Sequence, residues 1–406
     1  MTATITSLQA GIKVLYPQSA IMEAYFKKSP LFSVIDKNTN WVGSPMHIAL
    51  TIAPTGGGSH TFATAQANMA GAVHRGFDIT HVKDYSILAI TTEAIRLTKN
   101  DKGALMRGVK AEGDAAIYKQ TRALAIDIFR SGSGSRGRIA SGADTVTLTL
   151  TDPLDAYNFE VGDVLVSNSV DSASGVSTNT GTISGIDYDA GTLTAAAQWH
   201  ADFDTNDYLF RAGDAGASMQ GLAAWVPPTA PSSTPFFGLD RTTSTKLSGV
   251  RYDYTVQSDG TMERYLINMA TRVSRLGGMP DTAVMNPIRW GNLVNELGDK
   301  VRYDRMESTG SSVSMGFDVI KLMGPTGAIK VLSDPNCPYN TLWMLQLDTW
   351  CFWTAGEIGW IDDDGKGQWL RQASADAMEA RLGWYGNLVC TFPGANGTGS
   401  LSALAA

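Results

Sequence analysis

A chain of 406 residues, 43% apolar and 17% charged, has room for several domains with real cores and too little charge for a disordered polypeptide. Net charge is −7 with no Lys/Arg block, which excludes a tight nucleic-acid binder that works through a basic tail. No apolar run is long enough to cross a membrane, and Cys337, Cys351 and Cys390 form no CxxC pair, which fits buried thiols in a reducing compartment and neither a zinc site nor a disulfide framework.

The N-terminus, "MTATITSLQAGIKVLYPQSA", has no basic stretch followed by an apolar block, so no signal peptide is expected. Residues 1–40 read as an arm, with a short helix after Pro17 built on Ile21, Met22, Tyr25 and Phe26, which Pro30 should stop. In "MHIALTIAP", Ile48, Leu50 and Ile52 alternate with smaller or polar residues, as in a strand. The run "FDITHVKDYSILAI" returns as a second strand, so residues 41–90 form an extended two-stranded hairpin with a long small-residue tip. The tip opens on "PTGGGSH". A phosphate loop of the Walker type needs a lysine, and none occurs between Lys37 and Lys83; a dinucleotide fingerprint needs a helix, and "SHTFATAQANMAGAVHRG" has no helical stripe. The glycines therefore read as a flexible tip. A lone hairpin is marginal in water and its edges invite pairing, so something must cover it, and the length of the tip favours a second copy of the chain over its own body.

The longest helix is predicted from Asn100 to Phe129, capped by Asn100 or Asp101, with an apolar stripe of Leu105, Val109, Ala116, Ala123, Leu124 and Ile128. Arg107, Lys110, Asp114 and Arg122 fall on its wet faces, and "SGSGSRG" ends it. Residues 139–212 carry only strand and turn signals, which predicts a small β-barrel or sandwich inserted between helix and body. From Ser141 to Phe210 there is no Lys or Arg, against Asp144, Asp152, Asp155, Glu160, Asp163, Asp171, Asp187, Asp189, Asp202, Asp204 and Asp207. These eleven acids read as an unpaired, solvated face, and the rest of the chain, with 32 bases to 28 acids, is near +4. Residues 213–350 have α/β texture: a helix from Thr261 to Leu276, a strand "DTAVM", a helix capped by Asn286 with Pro287 first and Gly298 at its end, then strands "AIKVL" and "TLWMLQLDTW". Trp290, Leu293, Val294 and Leu297 are its expected buried face. "DAMEARLGWYGNLVCTF" reads as a long strand and "GANGTGSLSALAA" as a loose tail.

The chemistry inventory is empty. His47, His60, His74, His81 and His200 form no HExxH or i, i+4 pair, and a metal on His60, His74 and His81 is a weaker reading than uninvolved histidines. "DFDTND" lacks the glycine and glutamate of an EF-hand, and no GxSxG is present. Cys351, set among aromatics, suits an inert thiol; the tryptophans clustered from Trp343 to Trp384 read mostly as core, with one or two at interfaces; Asp362, Asp363 and Asp364 read as a solvent-facing turn. No catalytic, cofactor-binding or metal residue is assigned.

Several stretches in series resemble the tailed-phage major capsid proteins: "NDKGALMRGVKAEGDAAIYKQTRALAIDIFRSG", "GLAAWVPP" with "FFGLDRTT", "PDTAVMNPIRWGNLVNELGDKVRYD", "GAIKVLSDPNCPYNTLWMLQLDTW" and "ASADAMEARLGWYGNLVCTFPGANG". The resemblance covers roughly 84–137 and 213–394. It implies an α+β fold: an N-terminal arm (1–40), an extended E-loop (41–90), a peripheral domain with a spine helix (91–138), the inserted module (139–212), an axial α/β domain (213–350), and strands returning to the peripheral domain with a tail (351–406). It also implies a virion protein made in the host cytoplasm. Its hexamers and pentamers would tile an icosahedral shell around double-stranded DNA, with separate scaffolding, portal and decoration proteins as partners and no membrane. The tip lacks the lysine through which some members cross-link, so no cross-link is expected, and the acidic module should point outward, away from packaged DNA, or sit against neighbours through hydrogen bonds or cations. The N-terminus lacks a charge-rich helical scaffold segment, so a scaffold, where used, is expected to be separate or removed. Two alternatives stay open: an encapsulin-like nanocompartment shell, and a carbohydrate-active enzyme with a β accessory domain.

Overall fold

The computed structural model describes residues 29–93, 102–253, 260–298, 303–307, 316–356, 359–361, 369–372 and 374–401. The helix expected at Ile21–Phe26, the caps Asn100 and Asp101, and the turn Asp362–Asp364 lie outside them. Pro30 opens a helix: it is the first residue of α1 (Pro30–Val34), where its missing N–H costs nothing. β1 (Asp36–Asn38) follows.

β2 (Met46–Ala53) and β3 (Val73–Ile79) pair antiparallel as a sheet of two, joined through a tip that holds α2 (Phe62–Ala67). The return run is not one strand. It breaks at Thr80–His81, and β4 (Val82–Thr91) leaves the hairpin to join the body. The reason is a distant one: Leu88 and Ile90 find a core there. α3 (Lys102–Asp127) runs unbroken beside β4 and ends by burying Ala123, Leu124 and Ile128.

β5 (Ser135–Ser141), β6 (Thr147–Leu150), β7 (Val164–Asn168), β8 (Gly181–Asp187), β9 (Thr192–Ala195) and β10 (Tyr208–Arg211) close a barrel in the order β10-β5-β6-β9-β8-β7. Closure removes sheet edges, and Phe159, Trp199 and Phe203 fill the interior with aliphatic strand residues. The barrel begins at Ser135, four residues before its expected start.

Beyond α4 (Leu222–Trp225) and β11 (Val250–Asp253) comes α5 (Met262–Arg275), capped by the Thr261 side chain, which buries Met262, Tyr265, Leu266, Met269, Ala270 and Val273. β12 (Thr282–Met285) leads into α6 (Pro287–Leu297), where the Asn286 side chain accepts from the Ile288 N–H and Gly298 terminates the helix. Its buried face differs in part from expectation: Leu293 and Leu297 are buried, Trp290 and Val294 are half-buried, and Arg289 is buried with its guanidinium 4.1 Å from the Tyr339 ring. β13 (Tyr303–Glu307), β14 (Gly316–Gly324), β15 (Gly327–Ser333) and β16 (Thr341–Leu345) follow.

"TLWMLQLDTW" runs from β16 into a one-turn 3-10 helix (Leu347–Thr349), and only its last residue, Trp350, enters β17 (Trp350–Thr354), in a different sheet. β18 (Gly359–Trp360), β19 (Trp369–Arg371) and the 14-residue β20 (Ala377–Cys390) complete that sheet: β20 pairs β17, β18, β19 and the whole of β4, and β1 lies parallel to β17. The described part of the tail, to Leu401, is not loose. β21 (Gly397–Ser400) inserts between β11 and β16 in the seven-stranded sheet β11-β21-β16-β12-β15-β14-β13. Its glycines are the reason: a Cβ on Gly399 would stand 2.3 Å from the Tyr265 hydroxyl, which donates to Tyr252 O and lies 3.2 Å from Ser400 O. α5 and α6 cover this sheet, and a second core, around Trp225, Trp343, Trp350 and Phe352, joins the six-stranded sheet to the hairpin base.

Candidate assembly surface

The hairpin is anchored at its base and bare at its tip. Register runs from Met46 opposite Ile79 to Ala53 opposite Val73, and neither strand pairs with any third strand among the described residues. Ile48, Leu50 and Ile52 turn one face toward the chain's own core, while His47 and Thr51 on the other face bond across to Asp78 and His74. Phe77 is the main anchor. Its ring meets Trp225 edge-on at 5.1 Å and Phe236 at 6.2 Å, and Trp225 is fixed by donating from Nε1 to Leu388 O. The Arg241 guanidinium covers Phe236 at 3.9 Å and donates to the Ala224 and Trp225 carbonyls; burial lowers its pKa to about 10. Asp78 N donates to Phe237 O and Lys246 Nζ donates to Ile52 O. The expectation that a second copy, more than the chain's own body, covers the hairpin is corrected for its lower half, which the chain's own 222–246 segment holds.

From Pro54 to Ala72 no residue is buried. Phe62 is 82% exposed, Met69 74% and Val73 41%, and α2 buries nothing. The glycine triplet closes this tip on itself. Gly57 has φ +101°, a Cβ there would lie 2.9 Å from Ala65 O, and Gly56 N donates to Ala70 O. Three of the histidines assigned above to this region stay apart: His74 bonds Thr51, His81 stands edge-on to Trp41, and His60 is exposed. Among the described residues no cluster of His, Cys, Asp or Glu could hold a metal ion.

A second apolar surface lies on β4. Asp84, Leu88 and Ile90 face inward, while Lys83, Tyr85 and Ile87 face out; Tyr85 is 51% and Ile87 63% exposed, and Tyr85 meets Tyr385 edge-on at 5.8 Å.

The barrel is fixed to α3 by charge. Lys119 reaches the buried Asp163 at 2.9 Å, Arg122 pairs with Glu160, and Arg130 reaches Asp155 at 2.9 Å. Three of the eleven acids are thus paired, which corrects the reading of all of them as an unpaired face; Asp144, Asp171, Asp187, Asp189, Asp202 and Asp204 are exposed. Below these pairs sit Arg136 and Asp127, both buried, with Asp84, Arg211 and Asp214 nearby. Burial pushes the Asp127 carboxyl up to about 6, against the pull of Arg136 and Arg211. Asp202, in the rejected calcium-like stretch, is held below its ordinary range by hydrogen bonds from Ser177 and Asn179.

Burial also pushes the Cys351 thiol up to about 11 and Cys390 to about 12, which makes both poor nucleophiles. A cleft of about 170 Å³ lies between Arg251, Tyr252, Asp253, Arg272 and Ser400, with Asp253 its one carboxylate among the described residues.

No family model matches the chain, and no curated protein matches it. Among solved structures it is similar to the capsid asymmetric unit of cyanophage A-1(L), at 13% identity over 89% of each chain, TM-score 0.49. It is also similar to the capsid of a native GTA particle, at 10% identity over 92% of this chain and 90% of that one, TM-score 0.43. A third is the holo-SrpI encapsulin complex of Synechococcus elongatus PCC 7942, at 7% identity over 98% and 95%, TM-score 0.43. Identities this low transfer no residue roles.

Proposed function

We propose that this chain is a self-assembling shell subunit of the tailed-phage major capsid type. One observation carries the reading: a hairpin anchored at its base by Phe77 ends in a 19-residue tip, 54–72, without a single buried residue, and Phe62 and Met69 on it face water. Exposed apolar side chains on a projecting, self-closed loop mark a contact surface. In this reading the tip acts as the E-loop and lies on the next copy, with the outward strip Tyr85–Ile87 as its receiving face. α3 is the spine helix, and the seven-stranded sheet with α5 and α6 forms the axial domain. The barrel lies on the outer side in this reading, which its exposed acids support, since packaged double-stranded DNA would repel them. Hexamers and pentamers then close an icosahedral virion shell by contact alone, with no catalysis and no cofactor. Without a tip lysine no covalent cross-link forms. Portal, scaffolding and decoration proteins are the further partners expected.

The test is to express the chain alone and examine it by sedimentation and electron microscopy. Closed shells or capsomer-sized rings are expected, and a compact monomer at high concentration would refute the reading. Enclosed cargo separates the phage shell, which packages DNA, from a nanocompartment, which encloses enzyme.

A further inference from the structure

The two faces of β21 differ in kind. Gly397 and Gly399 lie against α5, where a Cβ on either would meet Met269, Val273 or the Tyr265 hydroxyl. Thr398 and Ser400 therefore turn to the other face of the seven-stranded sheet. β11 runs parallel beside them, with Arg251 opposite Thr398 and Asp253 opposite Ser400, so these four residues share that face. Together with Pro228, Tyr252 and Arg272 they line the cleft of about 170 Å³. Arg272 comes from α5, and its guanidinium lies 4.9 Å from the centre of the Tyr252 ring. Asp253 and Arg272 are exposed at the rim, Arg251 is half-buried, and Thr398, at the floor, is 1% exposed.

We propose that this cleft is a phosphate-binding site, in which Arg251, Arg272 and the Thr398 hydroxyl hold one phosphate group, free or carried by a nucleic acid.

The floor is incomplete without a ligand. Thr398 Oγ1 is buried and has no hydrogen-bond partner, where a buried hydroxyl normally has one. A polar atom left in that state is costly, and a phosphate oxygen at the floor supplies its partner. Arg251 donates to the Ser248 hydroxyl at 3.4 Å and to no other group among the described residues, which leaves most of its N–H donors for an anion. The planar fork of a guanidinium matches two oxygens of a phosphate at once.

The charges agree with the donors. Two guanidiniums and one carboxylate line the cleft, and the carboxylate, Asp253, stands at the wet rim. Arg241 lies close to Arg251: burial lowers Arg241, and the charge of Arg251 pushes the same way. Burial lowers Arg251 as well. Cations crowded together and partly withdrawn from water gain most from an anion in contact with them. The volume suits a small tetrahedral ion and falls well short of the roughly 300 Å³ of an ordinary small-molecule pocket. The site rests on the fold alone, so its failure leaves the shell reading untouched.

Calorimetric titration of the purified full chain with inorganic phosphate, in chloride buffer of matched ionic strength, tests this. Saturable binding is expected, displaced by sulfate and not by additional chloride. Arg251→Gln should weaken it about 10- to 100-fold, the range for hydrogen bonds to a charged group. Thr398→Val should weaken it about fivefold without loss of folding stability, since the hydroxyl it removes has no partner in the chain. A short double-stranded oligonucleotide separates the sources: competition with phosphate assigns the site to a nucleic-acid backbone, and lack of competition assigns it to the free ion. No saturable phosphate binding up to about 10 mM, phosphate binding unchanged in both variants, or duplex binding without phosphate binding would overturn the site. Where Arg251→Gln fails to fold, Thr398→Val and the sulfate competition decide.

Discussion

Replacing residues 54–72 by Asn-Gly is expected to give a chain that folds as before and does not assemble. Ala53 and Val73 are opposite one another, so a two-residue turn of the Asn-Gly kind closes β2 onto β3 without changing register. Nothing in the excised tip is buried in its own chain, and its internal contacts, Gly56 to Ala70 and Gly57 to Ala65, leave together. Folding stability should change by no more than about 0.5 kcal/mol, the usual range for surface changes. Assembly should be lost. Burying Phe62 and Met69 against a neighbour contributes about 3–6 kcal/mol per contact, and every 1.4 kcal/mol is tenfold, so each contact weakens by about 10² or more. The double variant Phe62→Ser, Met69→Ser should fail in the same way with the loop intact. Sedimentation reads assembly and denaturant titration reads folding. A truncated chain that still forms shells, or one that unfolds, contradicts the role given to the tip.

Arg136→Met should produce the largest loss of stability from one substitution at the barrel junction, about 3–5 kcal/mol. Arg136 is 4% exposed and donates to Asn158 O, and its charge faces Asp127, Asp163 and Asp214. Removing it leaves Asp127 buried without the cation that acts on it most strongly, whereas breaking the exposed Arg381–Glu379 pair should cost at most about 1 kcal/mol. Asp127 adds a dependence on pH. Its folded value lies above 3.8, near 6, so the folded state binds the extra proton. The stability this confers is complete below about pH 4 and is lost as pH rises through 6. Asp127→Asn should therefore flatten the stability profile between pH 4 and 7. Urea unfolding followed by the buried Trp199 of the barrel reads both effects. A cost under 1 kcal/mol for Arg136→Met would show that the junction is not held by charge.

Much of this fold was legible because its signals are local. Asn286 followed by Pro287 announces α6, and hydrophobic spacing announces α5, because caps and amphipathic faces act within one or two turns. The barrel was legible from strands cut by Asp/Gly turns at short intervals. What stayed hidden depends on distant partners. Gly397–Ser400 has no strand propensity; it is a strand because its small residues fit under Tyr265. The break at Thr80–His81 comes from a core that Leu88 and Ile90 find elsewhere, and no alternation in the run announces it. Phe77 looked like any strand aromatic until Trp225 and Phe236 closed on it. The pairing of barrel and helix had a readable trace, since Lys119, Arg122 and Arg130 lie near one helical stripe, but acids counted within 141–210 alone concealed it. Asp334, whose carboxylate accepts from the Leu31 N–H at the start of α1, gave no signal at all, for that partner is 303 residues away.

The measurement that bears most directly on the central claim is a density map of the assembled particle, read at residues 54–72. The account predicts that Phe62 and Met69 of each subunit are covered by a neighbouring copy near its Tyr85 and Ile87. A particle in which that tip stays bare, or folds back on its own chain, would contradict it.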